Sequence, residues 1–330
     1  MTVRIGACLS LTGKFGKFGQ QAAQGLATWR SMGAPVKLVI EDDRSDRGTI
    51  EATLPRLAKR CDLLLGPYST TLMRTAGKLA ADQGWLVWNH GGSGDDVESA
   101  YPGHVISVLT PASRYAEPFL RLIAGDAAEL VIAHGAGSFG KQVADGAAAL
   151  ARTLGIRVVR DGLSRPGEWN LFTAGVFEDD AQLVAGAMRL ANPPRLICAI
   201  AAGVREFRNV VHDPGGVYGI AQWFPGRGQV IELGPAEASF TGAYRAHTGR
   251  LPDYPAAQAM AAAVIATHCT RLAGTARRED LWPAAAHLQT STLFGAFAIN
   301  PRSGAQERHQ TVLVRWAESG PAAVGAEPLL

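Results

Sequence analysis

The chain has 330 residues, 47% of them hydrophobic and 18% charged, with a formal net charge of +3. That length suits two domains of ordinary size with a sizeable core. Lys and Arg are dispersed rather than gathered into a phosphate-binding stripe, and no apolar stretch reaches the roughly 20 residues of a bilayer span, so nucleic-acid-binding and membrane-spanning classes are set aside.

An apolar run from Val3 to Leu11 breaks into a glycine-punctuated turn carrying Phe15 and Phe18, and a helix-compatible segment starts near Gln20. Open α/β sheets place ligands at such strand ends. Strand and helix signals then alternate: Val36 to Ile40 (strand), Thr49 to Lys59 (helix), Asp62 to Leu65 (strand), Leu72 to Gln83 (helix), Trp85 to Trp88 and Val105 to Leu109 (strands). Alternation predicts a parallel sheet with helices on both faces. After Pro111 the pattern restarts, with helices over Tyr115 to Ala124, Lys141 to Leu154 and Ala181 to Leu190. The strands between and after them are Leu130 to Ala133, Ile156 to Arg160, Leu196 to Ala201 and the short Val217 to Ala221. Two successive units of one architecture imply two lobes. A helix over Ala256 to Leu272 and a strand over Gln310 to Trp316 follow, and the tail from Glu318, rich in Gly, Pro and Ala, reads as irregular.

Four cysteines, Cys8, Cys61, Cys198 and Cys269, are scattered without a Cys-x-x-Cys pair and read as buried free thiols. No His-x-x-x-His or His-Glu-x-x-His spacing occurs, so no metal is expected. Glu41-Asp42-Asp43 reads as a solvated loop face. Trp223 and Phe224 suit either packing or ligand stacking.

Gly135-Ala-Gly137-Ser-Phe-Gly140 is a full G-x-G-x-x-G after a strand, with Asp161 about twenty residues on, which keeps a dinucleotide enzyme open. It nearly matches a P-loop, but Gln142 stands where Ser or Thr would hold magnesium. His90-Gly-Gly-Ser-Gly94 is like an esterase loop, yet Asp95 breaks Gly-x-Ser-x-Gly and no catalytic partners can be assigned by spacing. No basic segment with an apolar run and cleavage site precedes Arg4, which leaves a cytosolic protein and a processed extracytoplasmic form both open.

Read in order, several stretches resemble type I periplasmic substrate-binding proteins, the branch of the leucine/isoleucine/valine-binding protein and its amide-sensing relatives. The stretch Gly6 to Gly19 resembles the family's opening glycine-rich loop, and Leu65-Gly-Pro-Tyr-Ser-Thr70 its I-G-P-x-x-S turn. Gly84 to Ser93 resembles G-V-P-L-I-S-P-S-A-T, Ser138 to Lys141 the D-Y-G-x-G loop, Gly249 to Asp253 the Y-G-x-x-P-D segment, and Gly295 to Trp316 the closing strand region.

The resemblance implies two Rossmann-like α/β lobes with parallel-rich sheets joined by three hinge crossovers, lobe 1 being 1–112 plus 226–299 and lobe 2 being 113–225 plus 300–330. It implies a non-enzymatic solute-binding protein of an ABC importer without cofactors, periplasmic or lipid-anchored, partnering a membrane permease. A cytosolic ligand sensor of the same fold is the alternative. Carried over residue by residue, Thr70, with Ser69 beside it, and Ser93 hold a ligand carboxylate or similar acceptor, and the Gly91 carbonyl faces the ligand. Phe139 stacks on it in the second lobe, Phe18 is the first-loop aromatic, Tyr254 lies near a third, and Gln222 and Trp223 approach the cleft. The acid that pairs with an amino acid's ammonium in the family has no counterpart between Phe207 and Gln222. An apolar or aromatic carboxylate, or a neutral amide, is therefore the expected guest.

Overall fold

The computed structural model describes residues 2–159 and 167–325. They form two compact units, and the chain passes from the first to the second after Thr110, back after Arg227, and over again after Gln310.

The first unit opens with β1 (Val3–Leu9), α1 (Gly16–Ser31), β2 (Val36–Asp42), α2 (Arg47–Ala58), β3 (Leu63–Leu65), α3 (Thr70–Gln83), β4 (Val87–Asn89) and β5 (Val105–Ser107). The five strands form a parallel sheet in the order β2-β1-β3-β4-β5, with Ala7 opposite Leu65 and Leu65 opposite Trp88. Parallel strands covered on both faces read as apolar runs, and all three residues of β3, β4 and β5 are buried. One face packs Cys8, Leu64, Val87 and Val105 against Leu54 and Leu57 of α2 and Met73 and Ala76 of α3.

The second unit holds α4 (Glu117–Leu122), β6 (Glu129–His134), α5 (Ser138–Thr153), β7 (Val158–Val159), β8 (Trp169–Ala174), α6 (Phe177–Ala187), β9 (Leu196–Ala199) and β10 (Tyr218–Ala221). The chain then adds to the first unit α7 (Glu237–Thr248), α8 (Tyr254–Ala273), α9 (Arg278–Ala286) and the hairpin β11 (Thr290–Thr292) and β12 (Gly295–Phe297). It ends in the second unit with β13 (Val312–Ala317) and β14 (Gly320–Ala323). The second sheet runs β14-β13-β10-β9-β8-β6-β7, parallel except at β10–β13 and β13–β14. Its core joins Leu130, Phe172 and Tyr218 to Phe119, Leu120, Val143 and Ala147.

Several expectations need correction. The first helix begins at Gly16, not near Gln20, so Phe18 lies on its first turn; Phe18 and Gly19 amides both bond to the Phe15 carbonyl. The acidic run is not a solvated loop. Glu41 and Asp42 end β2, Asp43 is fully buried, and Asp42 accepts from the Leu11 amide (2.9 Å), the Arg44 amide (2.8 Å) and the Thr12 hydroxyl (2.6 Å). The last passage between units follows Gln310 rather than residue 299. Residues 300–310 are tied to the β5 segment by Ser107 N–H to Gly304 O (3.0 Å), Gln306 Nε2 to Val108 O (3.2 Å) and Thr110 Oγ1 to His309 Nδ1 (2.7 Å). The tail is not irregular throughout, because β14 pairs antiparallel with β13 at the sheet edge, where Pro321 needs no ladder donor. Arg160 and Asp161 lie outside the described residues. All four cysteines are free, with Cys8, Cys198 and Cys269 buried and Cys61 half-buried.

Candidate functional site

In the first unit the site grows from the carboxyl ends of β3 and β4, where two loops lie backbone to backbone. The Ser69 amide donates to Gly91 O (2.9 Å) and the Gly66 amide to Trp88 O (2.9 Å). A Cβ on Gly91 would stand 2.6 Å from Tyr68 Cα and 2.9 Å from Pro67 O, so this approach admits only glycine. The approach is bought with strain: Ser69 has φ 96° and ψ 147°, a region nearly confined to glycine. Strain of this kind, of order 1–3 kcal/mol, collects where structure serves binding.

Ser69 caps α3 through a long contact to Leu72 N (3.4 Å), and Thr70 Oγ1 accepts the Gly94 amide (3.0 Å). The Thr70 hydroxyl hydrogen has no acceptor among the described residues. The Gly91 carbonyl already accepts Ser69, which leaves one lone pair. Thr70 and Ser93 are buried, and Ser69 and Gly91 half-buried. An aromatic wall adjoins them. Phe18 stacks on Tyr68 (centroids 4.7 Å, 10°), Phe15 tilts toward the same ring (6.1 Å), and the Tyr68 and Tyr254 hydroxyls bond at 3.0 Å. Lys17 Nζ lies 5.3 Å from the Phe18 ring centre and supplies positive charge beside the wall.

Behind this surface lies a buried polar chain. Asn89 Nδ2 donates to Gly92 O (2.6 Å), Ser107 Oγ (2.5 Å) and Glu98 Oε1 (3.2 Å), while its Oδ1 accepts the amides of Gly91 (3.1 Å) and Gly92 (2.8 Å). Burial pushes the Glu98 carboxyl up to about 8.

In the second unit, α5 starts at Ser138 after Gly137 (φ 101°). Phe139, half-buried, meets Tyr115 edge-on (5.6 Å, 80°), and Gln222 Nε2 donates to the Tyr115 hydroxyl (2.7 Å). Trp223 is buried, and its indole N–H has no hydrogen-bond acceptor among the described residues, an uncommon state. Phe224 lies under the Arg205 guanidinium (5.1 Å) and serves packing. Two glycines of the dinucleotide-like motif are accounted for by close packing, since a Cβ on Gly140 would stand 3.0 Å from Ala174 O and one on Gly135 3.1 Å from Asp179 Cβ, and the third, Gly137, by its positive φ of 101°.

A family model described as periplasmic binding protein matches residues 2–176. The chain belongs to the periplasmic binding protein family. No curated protein matches it significantly. Among solved structures, a leucine-binding protein from Thermotoga maritima MSB8 is similar at a TM-score of 0.84 and 15% identity, over 99% of each chain. An ABC-transporter solute-binding protein from Rhodopseudomonas palustris BisB5, in complex with 3,4-dihydroxybenzoic acid, has a TM-score of 0.79 and 12% identity over 99% of each chain. A substrate-binding protein from Desulfitobacterium hafniense in complex with Leu has 0.79 and 13%, over 98% of this chain and 100% of that one. The fold of this binding protein is the type I periplasmic binding fold.

Of the residues expected for ligand binding, Phe18, Ser69, Thr70, Gly91, Ser93 and Tyr254 lie in the first unit and Phe139, Gln222 and Trp223 in the second. Tyr68, Tyr115, Lys17 and Asn89 escaped sequence reasoning. Tyr68, Asn89 and Lys17 stood inside the stretches Leu65–Thr70, Gly84–Ser93 and Gly6–Gly19, which was their local signal, whereas Tyr115 had none.

His90, next to Gly91, is fully buried, and burial lowers its pKa from 6.5 to about 4. The unfolded chain therefore binds a proton between these values that the folded binding protein refuses. The resulting stability is complete above pH 6.5 and is lost as pH falls through 4, at up to about 1.4 kcal/mol per pH unit. Denaturant unfolding from pH 7 to 4 should show this slope in the difference between wild type and His90→Gln; equal pH dependence in the two would contradict it. Glu98 and Asp180, raised to about 8 and about 6 mainly by burial, act oppositely and cancel in that difference.

Proposed function

We propose that this periplasmic binding protein is the extracytoplasmic solute-binding component of an ABC importer, and that it captures a small apolar or aromatic carboxylate by hinge closure, without turnover. The observation that carries the ligand class is the donor-rich, acid-free character of the assigned residues. Thr70 offers a hydroxyl hydrogen and Trp223 an indole N–H, both without acceptors among the described residues, and Phe18 and Tyr68 offer aromatic faces. Neutral donors hold a carboxylate without a fully buried cation, and in the first unit the half-buried Lys17 lies against the same Phe18 ring. None of the assigned residues can balance an ammonium, whose uncompensated burial costs several kcal/mol. The hydroxybenzoate-bound relative supports an aromatic guest, and the family supports a permease as partner.

The test is thermal shift with benzoate, phenylacetate, 3,4-dihydroxybenzoate, branched amino acids and polyols. A carboxylate without an amino group should give the largest shift, since tight binding stabilises by mass action. Thr70→Val should weaken that compound about tenfold or more, the loss of one hydrogen bond to a charged group. Stabilisation by polyols alone, or an affinity indifferent to Thr70→Val, would overturn the reading.

A further inference from the structure

We propose that the buried chain Asn89–Ser107–Glu98 positions the 91–94 loop and couples its shape to a single proton on Glu98, an inference that rests on reading that loop as ligand-binding. Every backbone group of Gly91 and Gly92 that turns inward is fixed by one side chain: Asn89 takes both amides and donates to the Gly92 carbonyl. Asn89 has two amide hydrogens for three oxygens, those of Gly92, Ser107 and Glu98. The sharing is thus a competition. The Ser107 hydroxyl donates to Glu98 and accepts from Asn89.

A neutral carboxylic acid is the weakest competitor of the three, and Asn89 Nδ2 lies nearer to Gly92 O (2.6 Å) than to Glu98 Oε1 (3.2 Å). An ionised carboxylate accepts roughly twice as strongly and would draw the Asn89 hydrogen from Gly92. Release of that hydrogen frees the backbone at Gly92, next to Ser93. The surroundings favour the protonated acid: Glu98 is 3% exposed, Asn89 and Ser107 are neutral, and Asp95 and Asp96 on its own segment repel a further charge. Arg74 of α3 is engaged by both oxygens of Asp96 (2.7 Å each). Glu98 is thus a positioning residue that acts through Asn89, not a ligand contact.

The test is an NMR titration of the whole ligand-free chain from pH 6 to 10, following the Gly91, Gly92 and Ser93 amides and the Glu98 carboxyl carbon. The amides should shift with the same midpoint as the Glu98 carbon. In Glu98→Gln, whose amide mimics the protonated acid, the loop should keep its low-pH shifts and the titration should vanish. Loop amides that stay flat, that titrate with another midpoint, or that titrate unchanged in Glu98→Gln would overturn the proposal. The wild-type comparison of midpoints decides the matter even where the variant does not fold. No ligand enters the measurement, so a failed ligand screen counts against the proposed function alone.

Discussion

Asn89→Ala is expected to abolish ligand binding and to lower the stability of the first unit by about 3–5 kcal/mol, since each buried group left without its partner costs about 1–3 kcal/mol. The truncation orphans the amides of Gly91 and Gly92 and strips Gly92 O of its donor, and Asn89 itself is fully buried. Water cannot reach all of these groups, because Gly92 is buried beneath Met73, whose Cβ would stand 2.6 Å from any Cβ placed on Gly92. The loop that sets Gly91 against Ser69 then loses its inner support, and the strained Ser69 backbone relaxes. Urea unfolding that shows a loss below about 1 kcal/mol would mean that the network does not hold the loop, since surface changes stay within about half that size.

The second large effect lies away from the site, in the packing of α1 on α8. Gly25→Ala should destabilise the first unit by about 3 kcal/mol, the upper end of what overpacking costs. A Cβ at Gly25 would meet only backbone, with Ala256 Cα and C each 2.8 Å away. A flexible side chain could swing aside, but a helix backbone cannot, so the two helices must part. Parting them would uncover the alanine stripe of α8, in which every residue from Pro255 to Thr267 is buried. The check is the denaturation midpoint of Gly25→Ala beside that of Gly242→Ala, a helical glycine whose Cβ would meet nothing within 4 Å. Equal midpoints would refute the close-packing account.

In the first unit the strands buried on both faces were legible from their apolar runs, β3 ending at Gly66-Pro67 and β4 and β5 being wholly buried, whereas β8, buried at every residue, was not read as a strand because Asn170 and Thr173 interrupt its apolar run. The helices over 237–248 and 278–286 were not legible. The first buries only Phe240 and Tyr244, and the second has Pro283 inside it, so neither carries a strong apolar period. β14 is made of Gly-Pro-Ala-Ala, a composition without strand preference, and exists because β13 offers an edge. At the site, the strand-end hydroxyls and glycines were legible from their order along the chain. Tertiary contacts were not: the stack of Phe18 on Tyr68 and the bond from Gln222 to Tyr115 join residues far apart in sequence. The acid run at 41–43 was misread because carboxylates look solvated until their surroundings are placed, here the backbone donors of Leu11, Thr12 and Arg44 around Asp42 and the burial of Asp43.

The most direct measurement is calorimetric titration of the purified chain at pH 7 with leucine and with 4-methylpentanoate, which is leucine without its amino group. An acid-free set of donors predicts that the desamino acid binds at least tenfold more tightly, because about 1.4 kcal/mol of unbalanced ammonium burial already accounts for that factor. Leucine binding as tightly as 4-methylpentanoate, or more tightly, would contradict the account.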